Sequence, residues 1–148
     1  MDKKFDVVIV GTGAAGLYAA LNFPESVNIL LVSKRELQLS NSSLAQGGVA
    51  CVLDTVHDSY KLHITDTLIA GKYKNTLSAV EKLVTEGPSD VLKIKDLGVD
   101  FDLNEDGTMC KTLEAGHSRN RIVHHKDSTG KAIVDGLIAK VTQLKNVT

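Results

Sequence analysis

Apolar and polar positions along this chain switch between a strand-like and a helix-like rhythm. Residues 5–10 (FDVVIV) form a short run rich in β-branched side chains, which predicts a strand buried on both faces, as in a parallel sheet. Gly11-Thr12-Gly13-Ala14-Ala15-Gly16 interrupts it, Leu17 to Phe23 continues as a helix, and Pro24 ends that helix. A second apolar run at 27–32 (VNILLV) predicts another buried strand. Strand, turn, helix and strand in this order make a βαβ unit, whose crossover should be right-handed.

Beyond Ser33 the rhythm is lost. Residues 36–50 (ELQLSNSSLAQGGVA) are small and polar with paired glycines, and predict a long loop of the kind that usually carries function. A helix is expected over 58–70, with Tyr60, Ile64 and Leu68 on one face and Gly71 as its stop. Leu77, Val80, Leu83 and Val84 mark a further helix closed by Gly87-Pro88; Ser89 then caps another, carrying Val91, Leu92, Ile94 and Leu97 up to Gly98. Residues 99–103 alternate like a strand, and the turn Asn104-Glu105-Asp106-Gly107 leads to 108–113, so a hairpin is expected. Asp127 or Ser128 caps the last helix, whose apolar face holds Ile133, Val134, Leu137, Ile138, Val141 and Leu144. Asn146-Val147-Thr148 reads as the start of a strand. The fold class is α/β, and the sheet looks unfinished, since two central strands alone would leave naked edges.

Composition narrows the function classes. The chain has 148 residues, a formal net charge of −1 and 43% hydrophobic residues, so a core can form and no basic stripe invites nucleic acid. No apolar run approaches a membrane span, and Met1-Asp2-Lys3-Lys4 leads into the first strand without a secretory pattern. Cys51 and Cys110 have no metal or redox spacing, which suits a reducing cytoplasm. Trp is absent and aromatics are 4%, so few stacking platforms exist and part of any flavin or nucleobase site is expected elsewhere.

The candidate chemistry begins at residues 11–16, a G-x-G-x-x-G set between an expected strand and helix. Gly11 permits the tight turn, Gly13 lets backbone approach a pyrophosphate, and Gly16 lets helix and strand pack closely. The helix N-terminus adds partial positive charge. NAD, NADP and FAD all use such a loop. The acidic residue that usually holds the ribose is replaced by Ser33-Lys34-Arg35, with Glu36 only afterwards; two basic residues there also suit the 2′-phosphate of NADP. The stretch Asn41, Ser42, Ser43, Leu44, Ala45, Gln46, Gly47 and Gly48 offers hydroxyls, amides and close-approach glycines to the edge of a flat polar ring system, which favours a flavin.

With these residues in view, the chain resembles the N-terminal region of the L-aspartate oxidase family, within the succinate dehydrogenase/fumarate reductase flavoprotein superfamily. The likeness is carried by VIVGTGAAGL at 8–17, LVSK at 31–34, AQGGVA at 45–50, DTLIAG at 66–71, GVDFD at 98–102 and LEAGHSRNRIVHHKDSTG at 113–130. It implies a Rossmann-like FAD-binding domain of the glutathione-reductase-like kind, with 1–50 as βαβ unit and flavin loop, 51–126 as a helical and hairpin insertion, and 127–148 as a helix returning to the sheet. It places Thr12, Gly13, Ala14 and Ala15 along the FAD pyrophosphate, Lys34 at the adenosine ribose, and residues 41–48 along the flavin. Succinate dehydrogenase relatives carry a flavin-linked histidine where Asn41 stands; asparagine cannot form that bond, so FAD is expected to be noncovalent.

The resemblance further implies oxidation of L-aspartate to iminoaspartate, with oxygen or fumarate as acceptor, feeding quinolinate and NAD synthesis and bringing quinolinate synthase into view as a partner. Glu114 is then the residue for the substrate ammonium, which succinate lacks, and would orient the Cα–H toward the flavin. Ala115 departs from the family's usual glycine, a poor fit if that backbone needs a positive φ. Arg121 and His117 could meet a dicarboxylate, although hydrogen-bonded loop structure is the plainer reading of each, and adjacent His124 and His125 are not expected to bind metal. The family's catalytic arginine and capping domain lie beyond residue 148, so the chain is expected to be an N-terminal fragment, inactive alone. Two other readings stay open: a fumarate reductase or succinate dehydrogenase type of enzyme, and a non-catalytic NADP-binding module.

Overall fold

The computed structural model of the chain describes residues 4–148, so the expected lead from Met1, Asp2 and Lys3 lies outside it. The chain divides into two compact units: residues 1–47, 97–100 and 127–148 form one, and residues 48–96 and 101–126 the other.

The first unit is built on β1 (Val7–Val10) and β2 (Ile29–Val32), which pair in parallel with Val7 opposite Ile29 and Val10 opposite Val32. Helix α1 (Ala14–Leu21) connects them and ends at Asn22, before the residue that Pro24 would force out of helical geometry. The expected strand at the far end of the chain is present as a parallel bridge of Val147 to Ile29. It is held by Ile29 N–H to Asn146 O at 2.8 Å, Thr148 N–H to Ile29 O at 2.9 Å and Leu31 N–H to Thr148 O at 2.9 Å. Helix α4 (Thr129–Val141) packs on α1, and Leu17, Ala20, Ile29, Val134, Leu137 and Val141 close the core. Ser128 is its N-cap position as expected, but no side-chain oxygen bonds the helix start.

One expectation fails here. The β1 strand is not buried on both faces: Val8 is 57% and Val10 82% exposed, while Val7 and Ile9 are half-buried. Both helices of this unit pack on each other, and among the described residues nothing covers the opposite row.

The second unit centres on a three-stranded antiparallel sheet in the order β3 (Val49–Ala50), β5 (Ile122–Val123), β4 (Lys111–Thr112). Helices α2 (Tyr60–Ala70) and α3 (Leu77–Asp96) pack together beside it in the same unit. The two helices expected either side of Gly87-Pro88 are one. Val80, Val84, Pro88 and Val91 form a single buried stripe at helical spacing, so the proline ring is part of the packed face, and the helix runs through it. Ser89, expected as a cap, instead donates its hydroxyl to Glu86 O at 2.7 Å. The inward residue of α2 is His63, not the expected Tyr60–Ile64–Leu68 row, because the ion pairs described below draw the polar face inward. Residues 99–103 are extended without being a regular strand; the expected hairpin survives as a Leu103–Met109 bridge around a turn closed by Asn104 N–H to Thr108 O at 2.8 Å. No helix among the described residues is long and apolar enough to cross a membrane.

Candidate functional site

In the first unit, the glycine turn sits between β1 and α1 as its spacing requires. Gly11 has φ +115°, which an L side chain rarely adopts, and its N–H is fixed by Val32 O at 2.8 Å. A Cβ on Gly16 would overlap the Gly11 carbonyl oxygen, so helix and turn can meet only because that side chain is absent. Thr12 is buried and its Oγ1 lies 3.0 Å from Ser33 Oγ, tying the turn to the end of β2. Helix α1 starts from Gly13 with no side-chain cap at that position and no acidic residue in its first turn, leaving its N-terminal partial charge uncancelled by carboxylates.

A cavity of about 570 Å³ opens here, lined by Gly11, Thr12 and Gly13 on one side, Ser33, Lys34 and Arg35 at the strand end, and the start of the long loop including Asn41 and Ser42. Lys34 and Arg35 are both exposed at its rim. Backbone close approach, a helix N-terminus and two cations are the donor set an anionic pyrophosphate needs, so the residues fit a dinucleotide.

The long loop is not slack. Ser42 Oγ accepts from Ala14 N–H at 3.1 Å, so the loop reaches the first turn of α1. Ser40 and Ser43 bond each other reciprocally, Ser40 N–H to Ser43 Oγ at 3.2 Å and Ser43 N–H to Ser40 Oγ at 3.1 Å, and Ser43 Oγ also donates to Gln38 O at 2.7 Å. From the other side, Gly130 N–H donates to Ala45 O at 3.0 Å, and a Cβ on Gly130 would overlap Ser42 O. Of the expected ligand residues, Gly11, Thr12, Gly13, Lys34, Asn41 and Ser42 thus meet at one cavity. Ala14, Ala15 and Gly16 form the first turn of α1, whereas Ser43 is turned into the loop's own bonds. Leu44, Ala45, Gln46 and Gly47 are exposed and do not line that cavity. Gly48 opens the second unit, where a Cβ would overlap the Ile122 side chain.

The second unit holds Glu114 on an exposed loop. Its carbonyl accepts from His117 N–H at 3.2 Å, and the positive φ of the turn, +85°, falls on Gly116. Ala115 is not a positive-φ residue, so the departure noted in the sequence costs the turn nothing.

Beneath the loop lies an ion cluster that sequence reasoning missed. Arg121, 1% exposed, donates Nε to Asp58 Oδ2 at 2.7 Å and Nη2 to Asp58 Oδ1 at 2.8 Å, a two-pronged pair. Its Nη1 donates to Asp66 Oδ2 at 2.6 Å and lies 3.1 Å from His117 Nδ1. Burial pushes the Asp58 and Asp66 pKa values up, but the Arg121 bonds and neighbouring donors outweigh it and hold both below the ordinary carboxylate value. Burial pushes His63 down, and Arg121 and His117 push it further. The hydrogen-bonded loop role is therefore the one Arg121 fills, its charge being spent inside the unit. His124 Nδ1 lies 3.0 Å and His125 Nδ1 3.7 Å from the Asp102 carboxylate.

Residues 6–148 match the family described as FAD binding domain. The chain is 46% identical over 147 residues to an L-aspartate oxidase of Clostridium perfringens, covering 99% of this chain and 33% of that protein. It is 44% identical over 144 residues to an L-aspartate oxidase of Acinetobacter baylyi, covering 97% and 26%. Among solved structures it is similar to the quinol fumarate reductase chain FrdA of E. coli, with a TM-score of 0.93 and 27% identity over 97% of this chain and 25% of that one. The chain thus spans between a quarter and a third of the length of these relatives.

Proposed function

From the premise that this chain belongs to the FAD-binding domain family, we propose that it supplies the dinucleotide cradle and the substrate-ammonium contact of an enzyme that oxidises L-aspartate to iminoaspartate. The observation that carries the reading is the presence, in one chain, of a glycine-turn cavity with two cations at its rim and of an exposed carboxylate, Glu114, on a loop bonded to a buried ion cluster. The chemistry FAD supplies when bound is acceptance of a hydride from the aspartate Cα, with oxygen or fumarate as final acceptor. Thr12, Gly13, Ala14 and Ala15 at the start of α1 would hold the pyrophosphate, with Gly11 and Gly16 letting turn and helix meet, and Lys34 would hold the ribose. Asn41 and Ser42 would begin the run along the flavin that continues to Gly48. Asn41 has no ring nitrogen to bond the flavin, so the cofactor is held without a covalent link.

Glu114 would bind the substrate ammonium through a charge-assisted hydrogen bond and so orient the Cα–H. In this reading residues 1–50 are βαβ unit and flavin loop, 51–126 an insertion that presents Glu114, and 127–148 the return to the sheet, with an acid/base arginine and capping domain supplied by further residues. The product is a small unstable imine, which suits a cytoplasmic place in quinolinate and NAD synthesis and handover to quinolinate synthase.

Fumarate reductase or succinate dehydrogenase chemistry is the second reading, favoured by the 0.93 TM-score to the FrdA chain. One substitution separates the two. In the full-length flavoprotein, Glu114→Gln should lower kcat/KM for aspartate about ten- to hundredfold, the worth of a charged hydrogen bond, and spare fumarate reduction. Equal loss of both reactions, or of neither, would remove the ammonium role.

A further inference from the structure

The Glu114 loop rests on one face of α2. His63, Asp66 and Ala70 are spaced three and four residues apart and so share that face. They meet three successive loop residues: the His63 and His117 rings lie 5.6 Å apart, Asp66 bonds Ser118, and Ala70 Cβ lies 3.8 Å from the position a Cβ would take on Gly116. Asp66 is the only one of the three with a charge. A single oxygen, Oδ2, accepts from Ser118 N–H at 2.8 Å, from Ser118 Oγ at 2.8 Å and from Arg121 Nη1 at 2.6 Å. Arg121 is itself locked by Asp58, so Asp66 is fixed from behind and fixes the loop in front.

We propose that Asp66 is the positioning residue for Glu114: by clamping Ser118 at the loop's end it sets where the Glu114 carboxylate stands, and thereby the enzyme's selectivity for an amino dicarboxylate over a plain one. This rests on the reading of Glu114 as the ammonium contact. The residues from 114 to 118 are too few for the carboxylate to keep its place if the Ser118 end is released. The turn bond from His117 N–H to Glu114 O and the φ of Gly116 shape the loop but do not anchor it to a helix.

The test uses the full-length flavoprotein and compares aspartate oxidation with fumarate reduction, in which no ammonium is bound. Asp66→Asn should lower kcat/KM for aspartate at least tenfold and leave fumarate reduction within twofold. Ser118→Ala, which removes one donor and keeps the backbone bond, should lower the aspartate value about threefold. In a double-mutant cycle, Asp66→Asn added to Glu114→Gln should cost nothing further, because both act through one contact.

Parallel loss of both reactions, no loss, or full additivity with Glu114→Gln would overturn the proposal. If Asp66→Asn does not fold, Ser118→Ala decides by the same selectivity criterion. Glu114→Gln run alongside separates the two failures. If it shows no aspartate-selective loss, the ammonium reading falls; if it does and Asp66→Asn does not, only the positioning role falls.

Discussion

The turn at residues 11–16 and the loop at 114–118 are both short and glycine-containing, yet they are held by different forces. In the first, backbone lies against backbone: the Gly11 carbonyl occupies the space a Gly16 side chain would need, and the Gly11 amide is bound by Val32. In the second, side chains do the holding, with one carboxylate oxygen of Asp66 gathering three donors above a buried guanidinium. The first region should therefore fail when volume is added, and the second when charge is removed.

The largest expected effect breaks the charged region. Arg121→Met leaves Asp58 and Asp66 facing each other without their cation, and should cost about 3–5 kcal/mol in denaturant unfolding, as for any broken buried pair. Hydrogen exchange should quicken at the Ser118 amide and leave the β1–β2 amides protected. A loss under about 1 kcal/mol would mean that packing, not charge, holds the loop.

Gly16→Ala is the complementary test. The added methyl meets backbone, which cannot swing aside, so about 1–3 kcal/mol is expected together with loss of bound flavin absorbance in the purified protein. Retention of stoichiometric FAD would show that the turn gives more than its geometry suggests.

Acid provides a gentler probe. Asp58 and Asp66 are held below the ordinary value of 3.8, so the stability they contribute is complete above that pH and is lost as pH falls through their lower folded values. Unfolding free energy should fall slightly as pH drops below about 6.5, where the unfolded chain protonates His63 before the folded one does, and should fall again below about 4, only this second decline being reduced in Arg121→Met. A decline below pH 4 that is undiminished in Arg121→Met would show that other carboxylates are what acid disarms.

The smallest effect concerns the thiols. Burial pushes Cys51 up to about 12, with Lys111 pulling slightly the other way, while Cys110 is only half-buried and bonds Asn104. A thiol reagent at neutral pH should label Cys110 alone in the folded protein, by mass spectrometry; labelling of both would show that the second unit opens readily.

These contrasts explain what could be read in the chain beforehand. The βαβ unit, the glycine turn and the strand at 146–148 were legible because apolar runs and glycine spacing are local demands of backbone geometry. The Pro88 helix was misread because a proline is a local stop signal, whereas the buried stripe of Val80, Val84, Pro88 and Val91 is a tertiary one. Arg121 was visible only as one cation in a basic run. Its partners stand 55 and 63 residues away, and no spacing rule reaches that far. The polar pair His63 and Asp66, three residues apart on α2, is the signal available in the sequence, and the apolar row beside it masks it.

The clamp of Gly130 on the loop at 42–45 has a consequence for the order in which the protein is made. The turn at 11–16, its strand partners and the loop itself all emerge before that clamp, and the loop's anchoring amide follows Ala45 by roughly 85 residues. At about 5–20 residues per second of synthesis, that is an interval of about 4–17 s in which the cradle exists without its clamp. A nascent chain should therefore meet its dinucleotide late, once α4 has left the ribosome, and FAD supplied in excess should not speed its folding before then.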